Sequence, residues 1–190
     1  VIGNDIVDLE CAKHNSRWRE QRFLDKLFSA IEQDYILSDG KRFQNIWRLW
    51  SMKESVYKII SRGDGIVRFN PKDFTCLIMN TTQAHVRFEN TTVPTLTETH
   101  PDFIQTTAFL KPDWTSEVVQ LVHSDFKSQH KQSYQHAIKA YAILKNVSQN
   151  MVEIIKNRLG VPQFYINGSL QPEHLSLTHH GHFGAFAIAV

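Results

Sequence analysis

Apolar residues between Phe23 and Tyr35 return every three or four positions: Phe23, Leu24, Leu27, Phe28, Ile31 and Tyr35. That is the period of one helix face, and with Ser16 as N-cap it predicts a helix over residues 16–37, broken by Asp39-Gly40. A second helix is expected from Arg42 to Ser61, closed by the turn Arg62-Gly63-Asp64-Gly65. Ahead of both, VIGNDIVDL (Val1 to Leu9) reads as a strand, which sends Asp5 and Asp8 to opposite pleat faces. After Gly65 the period shortens. FNPKDFTCLIMN, AHVRFE, FIQTTAFL and EVVQLVH form an antiparallel meander, with the Thr-rich stretch from Glu89 to Pro101 as a long loop. Helical spacing returns from Gln129 to Leu159, with a break near Asn146 to Asn150 and Gly160 as C-cap. The tail turns at Asn167-Gly168, forms a strand over Leu175 to His179, turns tightly through Gly181 and ends in a strand from Phe183 to Val190. Its alanines alternate with Phe186, Ile188 and Val190, so one pleat face must pack closely against something such as another lobe.

Length permits one large domain or two small lobes, either able to bury a core over 190 residues. With 21 Lys and Arg against 19 Asp and Glu, the chain lacks the basic excess that a nucleic-acid partner needs. Charge is concentrated locally: residues 125–160 carry six cations, including Lys139, Lys145 and Lys156, against Asp125 and Glu153, a segment suited to a polyanionic ligand. Cys11 and Cys76 form no CxxC pair, so reduced thiols are expected rather than a disulfide framework or a thiolate zinc site. No stretch approaches the ~20 apolar residues of a membrane span, and no signal-like apolar core opens the chain. A cytoplasmic protein without membrane contact is the expectation.

Within the second helix, WSMKESVYK (Trp50 to Lys58) places charges beside an apolar border. Glu54 and Lys58, four apart, share a helix face and could address one ligand, although the same spacing makes ordinary solvated ion pairs. The combination is more specific. An acid on a strand, an acid on a neighbouring helix and lysines beside it are what a Mg²⁺-pyrophosphate site requires.

These residues resemble a known family. GNDIVDL (Gly3 to Leu9) is similar to the G-x-D-[IV]-x-[DE] signature of the 4′-phosphopantetheinyl transferases, and WSMKESVYK, about fifty residues on, to their W/F-x-x-K-E-[SA]-x-x-K signature. HLSLTHHGHFGAFAIAV is similar to the family's S-[LI]-[ST]-H strand-turn-strand. The resemblance implies transfer of the 4′-phosphopantetheine arm of coenzyme A to a serine of an apo acyl or peptidyl carrier protein, releasing adenosine 3′,5′-bisphosphate. It further implies that Asp5 and Glu54 bind Mg²⁺, that Glu54 helps to deprotonate the serine, and that Lys58 contacts phosphate. Lys53 would steady the same site. Ser176, Thr178 and His179 would line the coenzyme A seam, and Lys139 or Lys145 would meet the 3′-phosphate. Two departures stand out. The acid often found two residues after Asp5 is Val7, and the family's G-K-P segment is Gly160-Val161-Pro162, without the lysine. Asp8 matches an acid of the short family members and is given a supporting role.

The implied fold is α+β, two similar lobes each with an antiparallel sheet packed with helices. Residues 1–124 would hold the Asp and KES motifs and residues 125–190 the SLTH motif. This motif order belongs to the short synthases and the length to the two-lobed enzymes, so a circular permutation of the latter is expected, as a two-lobed monomer rather than a homo-oligomer. Two rival readings stand beside this one: a non-catalytic carrier-binding module, and a metal-binding protein using His179, His180 and His182. Trp18, Trp47 and Trp50 are assigned to the core, with docking of a carrier by an exposed one as the alternative.

Overall fold

The computed structural model describes residues 1–64, 68–122 and 125–190; Gly65 of the expected turn and His123 of the expected strand lie outside them. Strand β1 (Ile2–Asp8) leads into three short helices, α1 (Leu9–Asn15), α2 (Gln21–Leu27) and α3 (Ala30–Leu37), and then the long helix α4 (Arg42–Asp64). A meander follows: β2 (Phe74–Ile78), β3 (Gln83–Phe88), β4 (Thr91–Thr99) and β5 (Phe103–Phe109). The pattern then repeats. Strand β6 (Trp114–Gln120) precedes helix α5 (Phe126–Lys145) and the meander β7 (Val152–Lys156), β8 (Pro162–Ile166), β9 (Ser169–His180) and β10 (Phe183–Ala189).

The two sheets share one topology. Each last strand turns back to pair with the first, giving the antiparallel orders β1-β5-β4-β3-β2 and β6-β10-β9-β8-β7. This is the expected α+β pair of similar lobes, with one correction: EVVQLVH was placed in the first lobe, yet β6 pairs with β10 from Ala189↔Trp114 to Phe183↔Gln120. The division between sheets therefore falls before Trp114, not at residue 124.

Local chemistry explains where the elements depart from the sequence pattern. The expected helix over 16–37 is broken because Ser29 starts α3 with a capping box: its Oγ accepts from Glu32 N–H while the Glu32 carboxylate accepts from Ser29 N–H. Ser16 ends α1 instead of starting a helix. The Thr-rich stretch expected as a loop is β4, whose β-branched Val93, Thr95 and Thr97 turn inward between two partner strands. Met151, Ile154 and Ile155 fit a helix period, but Asn146 closes α5 in the left-handed conformation, and the chain resumes as β7 with Val152 buried and Ile154 half-buried on one face. Gly160 consequently lies in the β7–β8 turn, at φ 77°, rather than on a helix.

Strand β1 is buried along its whole length between the two units. Against one face, α4 approaches so closely that a Cβ at Gly3 would overlap the Ser55 carbonyl oxygen. Ser51 Oγ donates to Asp5 O at 3.2 Å, and Ser55 Oγ to Thr106 O at 3.0 Å. The opposite face meets the alanines of the last strand: Ile2 packs with Ala187 and Ala189, and Ile6 with Ala185 and Phe103. Phe186 and Ile188, on the other pleat face, join Tyr141 and Phe164 in the α5 core. The alternation read from the sequence is thus a seam between sheets. Gly3→Ala should drive α4 away from β1, with a loss of about 3 kcal/mol and a Tm drop of roughly 10 °C in thermal melts.

Candidate active site

The seam also positions the polar residues. As the edge strand of its sheet, β1 would leave backbone groups unpaired, and alternate side chains of β9 cover them. Ser176 Oγ accepts from Asn4 N–H at 3.0 Å, Thr178 Oγ1 donates to the Asp5 carboxylate at 3.2 Å, and His180 Nδ1 accepts from Asp8 N–H at 3.0 Å. Ser176, Thr178 and His180 thereby hold Asp5 at the centre of the joint.

Asp5 is 8% exposed. Its Oδ1 also receives Lys58 Nζ at 3.5 Å, while Oδ2 is buried with no hydrogen-bond partner. Burial raises the Asp5 pKa despite the opposing pull of Lys58, Thr178 and Ser51. Glu54 lies in the same cleft. Burial, then the charge of Asp5, pushes its carboxyl up to about 7, only partly offset by Lys58. Two carboxyls share the cleft, Asp5 buried with an orphaned oxygen and Glu54 half-buried, and such a pair matches the needs of a hard divalent cation held by one or two carboxylates. Asp5 and Glu54 therefore fit a Mg²⁺ ion.

Two clefts meet at this point. The first, of about 490 Å³, runs from Asp5 and Glu54 past His179 and His180 to Phe23, Trp47 and Trp50. The second, of about 400 Å³, lies under α5 and is lined by Lys58, Lys156, His130, Tyr134, Thr178 and His179. His179 borders both. Burial and then the charges of His130, Lys58 and His180 lower its pKa, which favours the neutral ring. In the second cleft Phe126, His130 and Tyr134 are spaced i, i+4, i+8 on α5; the His130 and Tyr134 rings stack at 4.1 Å, and the Tyr134 hydroxyl is buried without a partner.

Several residues expected at the site serve elsewhere. Lys53 is fully buried, donating to Glu32 at 2.8 Å and to the carbonyls of Leu27 and Pro71, so it fastens α4 to α2 and α3. It lines neither cleft. Lys145 pairs with Glu173 at 2.9 Å, and Lys139 is exposed outside both clefts. Ser176 is spent on the β1 backbone. The three tail histidines do not converge: His179 meets Phe126, while His180 and His182 engage different atoms of Asp8. Sequence reasoning counted Lys156 among the cations of the basic segment without assigning it to the site, because that segment has a helical period, and placed Trp47 and Trp50 in the core with carrier docking as the alternative. The Phe126, His130, Tyr134 spacing was the available signal for the second cleft.

Comparison with known proteins shows the family. Residues 1–143 match the family described as the 4′-phosphopantetheinyl transferase superfamily, and the chain belongs to it. Over 62 residues it is 34% identical to the holo-[acyl-carrier-protein] synthase of Protochlamydia amoebophila, covering 33% of this chain and 51% of that protein. Over 66 residues it is 32% identical to the corresponding synthase of Chlamydia caviae, covering 35% of this chain and 54% of that protein. The chain thus spans about half the length of the curated relatives it matches. Among solved structures, it superposes on the Thermotoga maritima holo-[acyl-carrier-protein] synthase with a TM-score of 0.45 and 11% identity, covering 89% of this chain and 83% of that one. The Helicobacter pylori synthase in complex with coenzyme A gives a TM-score of 0.29 at 13% identity, covering 100% of this chain and 99% of that one. Among the described residues, no helix is long and apolar enough to cross a membrane.

Glu54 sets a pH dependence. Its folded value of about 7 lies above the ordinary 4.5, so between those values the folded state holds the extra proton and stability falls as pH rises. The loss, on the order of 3 kcal/mol, is complete above the folded value. Metal-free protein should melt higher near pH 5.5 than near pH 8 on account of this group, with the difference reduced in Glu54→Gln. Added Mg²⁺ should raise Tm more at the alkaline end, where Glu54 is charged.

Proposed function

We propose that this chain transfers the 4′-phosphopantetheine arm of coenzyme A to a serine hydroxyl of an apo acyl or peptidyl carrier protein. The observation that carries the reading is the pair Asp5 and Glu54, lining one cleft where it meets a second that is cationic and ring-lined. Coenzyme A has matching parts: a phosphorylated nucleoside, a central diphosphate and an extended arm. In this reading the nucleotide occupies the second cleft beside the His130 and Tyr134 rings, with Lys156 at its 3′-phosphate. Lys156 lies opposite Pro162 across the β7–β8 hairpin, so it takes the place of the lysine missing from Gly160-Val161-Pro162. The arm and the incoming serine use the first cleft.

The chemistry is an in-line displacement at the phosphorus that carries the arm. A Mg²⁺ ion on Asp5 and Glu54 would neutralise diphosphate charge as the bridging P–O bond breaks. Glu54, directly or through a water, takes the proton from the serine hydroxyl as the new Ser Oγ–P bond forms. Lys58, held at 2.6 Å by the Asn4 carbonyl, steadies the charge that develops on the departing adenosine 3′,5′-bisphosphate. Thr178 keeps Asp5 aimed at the metal.

Incubation with coenzyme A, Mg²⁺ and a panel of apo carriers should add the arm's mass to at least one of them, and Glu54→Gln should abolish the addition. Unmodified carriers across the panel, or full activity in the variant, would reject the assignment. Lys156→Ala should raise KM for coenzyme A roughly tenfold with kcat little changed, as expected for a charge-assisted hydrogen bond. With 3′-dephospho-coenzyme A the variant and the parent should converge.

A further inference from the structure

Outside both clefts, three side chains of different chemistry meet on the far face of β1. The ligand atoms of Asp8, Cys11 and His182 lie within 4.8 Å of one another, joining the end of β1, the first turn of α1 and the β9–β10 turn. Asp8 is 1% exposed. Its Oδ1 accepts from Cys11 N–H at 2.9 Å, while Oδ2 accepts from His182 N–H at 2.8 Å and stands 3.1 Å from His182 Nδ1. The turn is shaped around these atoms: a Cβ at Gly181 would overlap both the Asp8 carboxylate and the Cys11 sulfur.

We propose that Asp8, Cys11 and His182 form a second metal site, for Zn²⁺, distinct from the carboxylate pair Asp5 and Glu54. One thiolate, one imidazole and one carboxylate are a borderline-soft donor set, which favours Zn²⁺ over the hard ions that oxygen ligands select. The 3.1 Å between Asp8 Oδ2 and His182 Nδ1 is close to the roughly 3.3 Å that separates two donors about 2 Å from a tetrahedral ion. Asp8 keeps the backbone N–H of His182 as an outer hydrogen bond, which orients its carboxylate. His182 is exposed, leaving the fourth position to water. Binding releases the Cys11 thiol proton to solvent. The ion would clasp the β9–β10 turn to the start of α1 and thereby set the strand that carries Thr178 and His179 against Asp5.

The test titrates the full chain with Zn²⁺ against a chromophoric chelator in excess Mg²⁺, which occupies the carboxylate pair, and then repeats the titration with Co²⁺. One equivalent should bind, and Co²⁺ should show tetrahedral visible bands with near-ultraviolet thiolate charge transfer. Cys11→Ser should lose the thiolate band, and His182→Ala should weaken Zn²⁺ binding at least about tenfold, no less than loss of an outer-shell partner. Zn²⁺ should raise the Tm of the parent and not of the double variant. Absence of Zn²⁺ binding in Mg²⁺, equal binding by the parent and both variants, or a thiolate band surviving in Cys11→Ser would overturn the site. Neither Cys11 nor His182 lines the clefts, so carrier modification measured in Mg²⁺ alone reports on the transferase reading independently.

Discussion

Strand β1 is buried along its whole length, and much of the molecule follows from that confinement. An edge strand normally leaves a row of backbone groups to solvent, but here the Ser176 hydroxyl and the His180 imidazole of β9 meet two of them, while Gly3, Ser51 and Ser55 let α4 press on the other face. A carboxylate placed in such a strand loses hydration that a single lysine at 3.5 Å does not replace. Asp5 is therefore an acid in deficit, and Glu54, brought to it by α4, deepens the deficit. The structure stores there an affinity for positive charge that a divalent cation would satisfy.

The repeated topology explains why this happens at a seam. Each unit supplies what the other lacks: the first contributes the acids and Lys58, the second the covering strand, His179 and the cationic face of the second cleft. Alanine at positions 185, 187 and 189 permits the sheets to approach closely enough for side chains of β9 to bond the backbone of β1. Larger residues there would separate Thr178 from Asp5. Packing and chemistry thus depend on the same short side chains.

Legibility in the sequence varied with the range of the interaction. The α4 period, the Asn167-Gly168 turn and the alternating tail are set by neighbours a few residues away, and the pattern exposed them. The break at Ser29 was also local, written in Ser29 and Glu32, but a longer apolar period concealed it. The β4 and β7 strands were missed because threonines beside Pro94, and isoleucines at helical spacing, acquire their conformation from partner strands distant in sequence. Lys53 was misplaced for a related reason: it sits one residue from Glu54, and only the fold turns it to the opposite side, against Glu32.

By itself, then, the sequence determined the residue types and spacings that make a superfamily member: an acid on the first strand, Glu54 and Lys58 on one helix face, and a terminal hairpin with one small-residue face. Tertiary structure decided which of the many charged groups share a space. Lys145 and Lys53 found carboxylates of their own, Lys156 entered a cleft, and Asp8, Cys11 and His182 came together from three separate elements. The physical reason is that periodicity records which side of an element is buried, whereas electrostatic environment depends on what the opposing element presents at a few ångströms, and that is fixed only when the sheets close on β1.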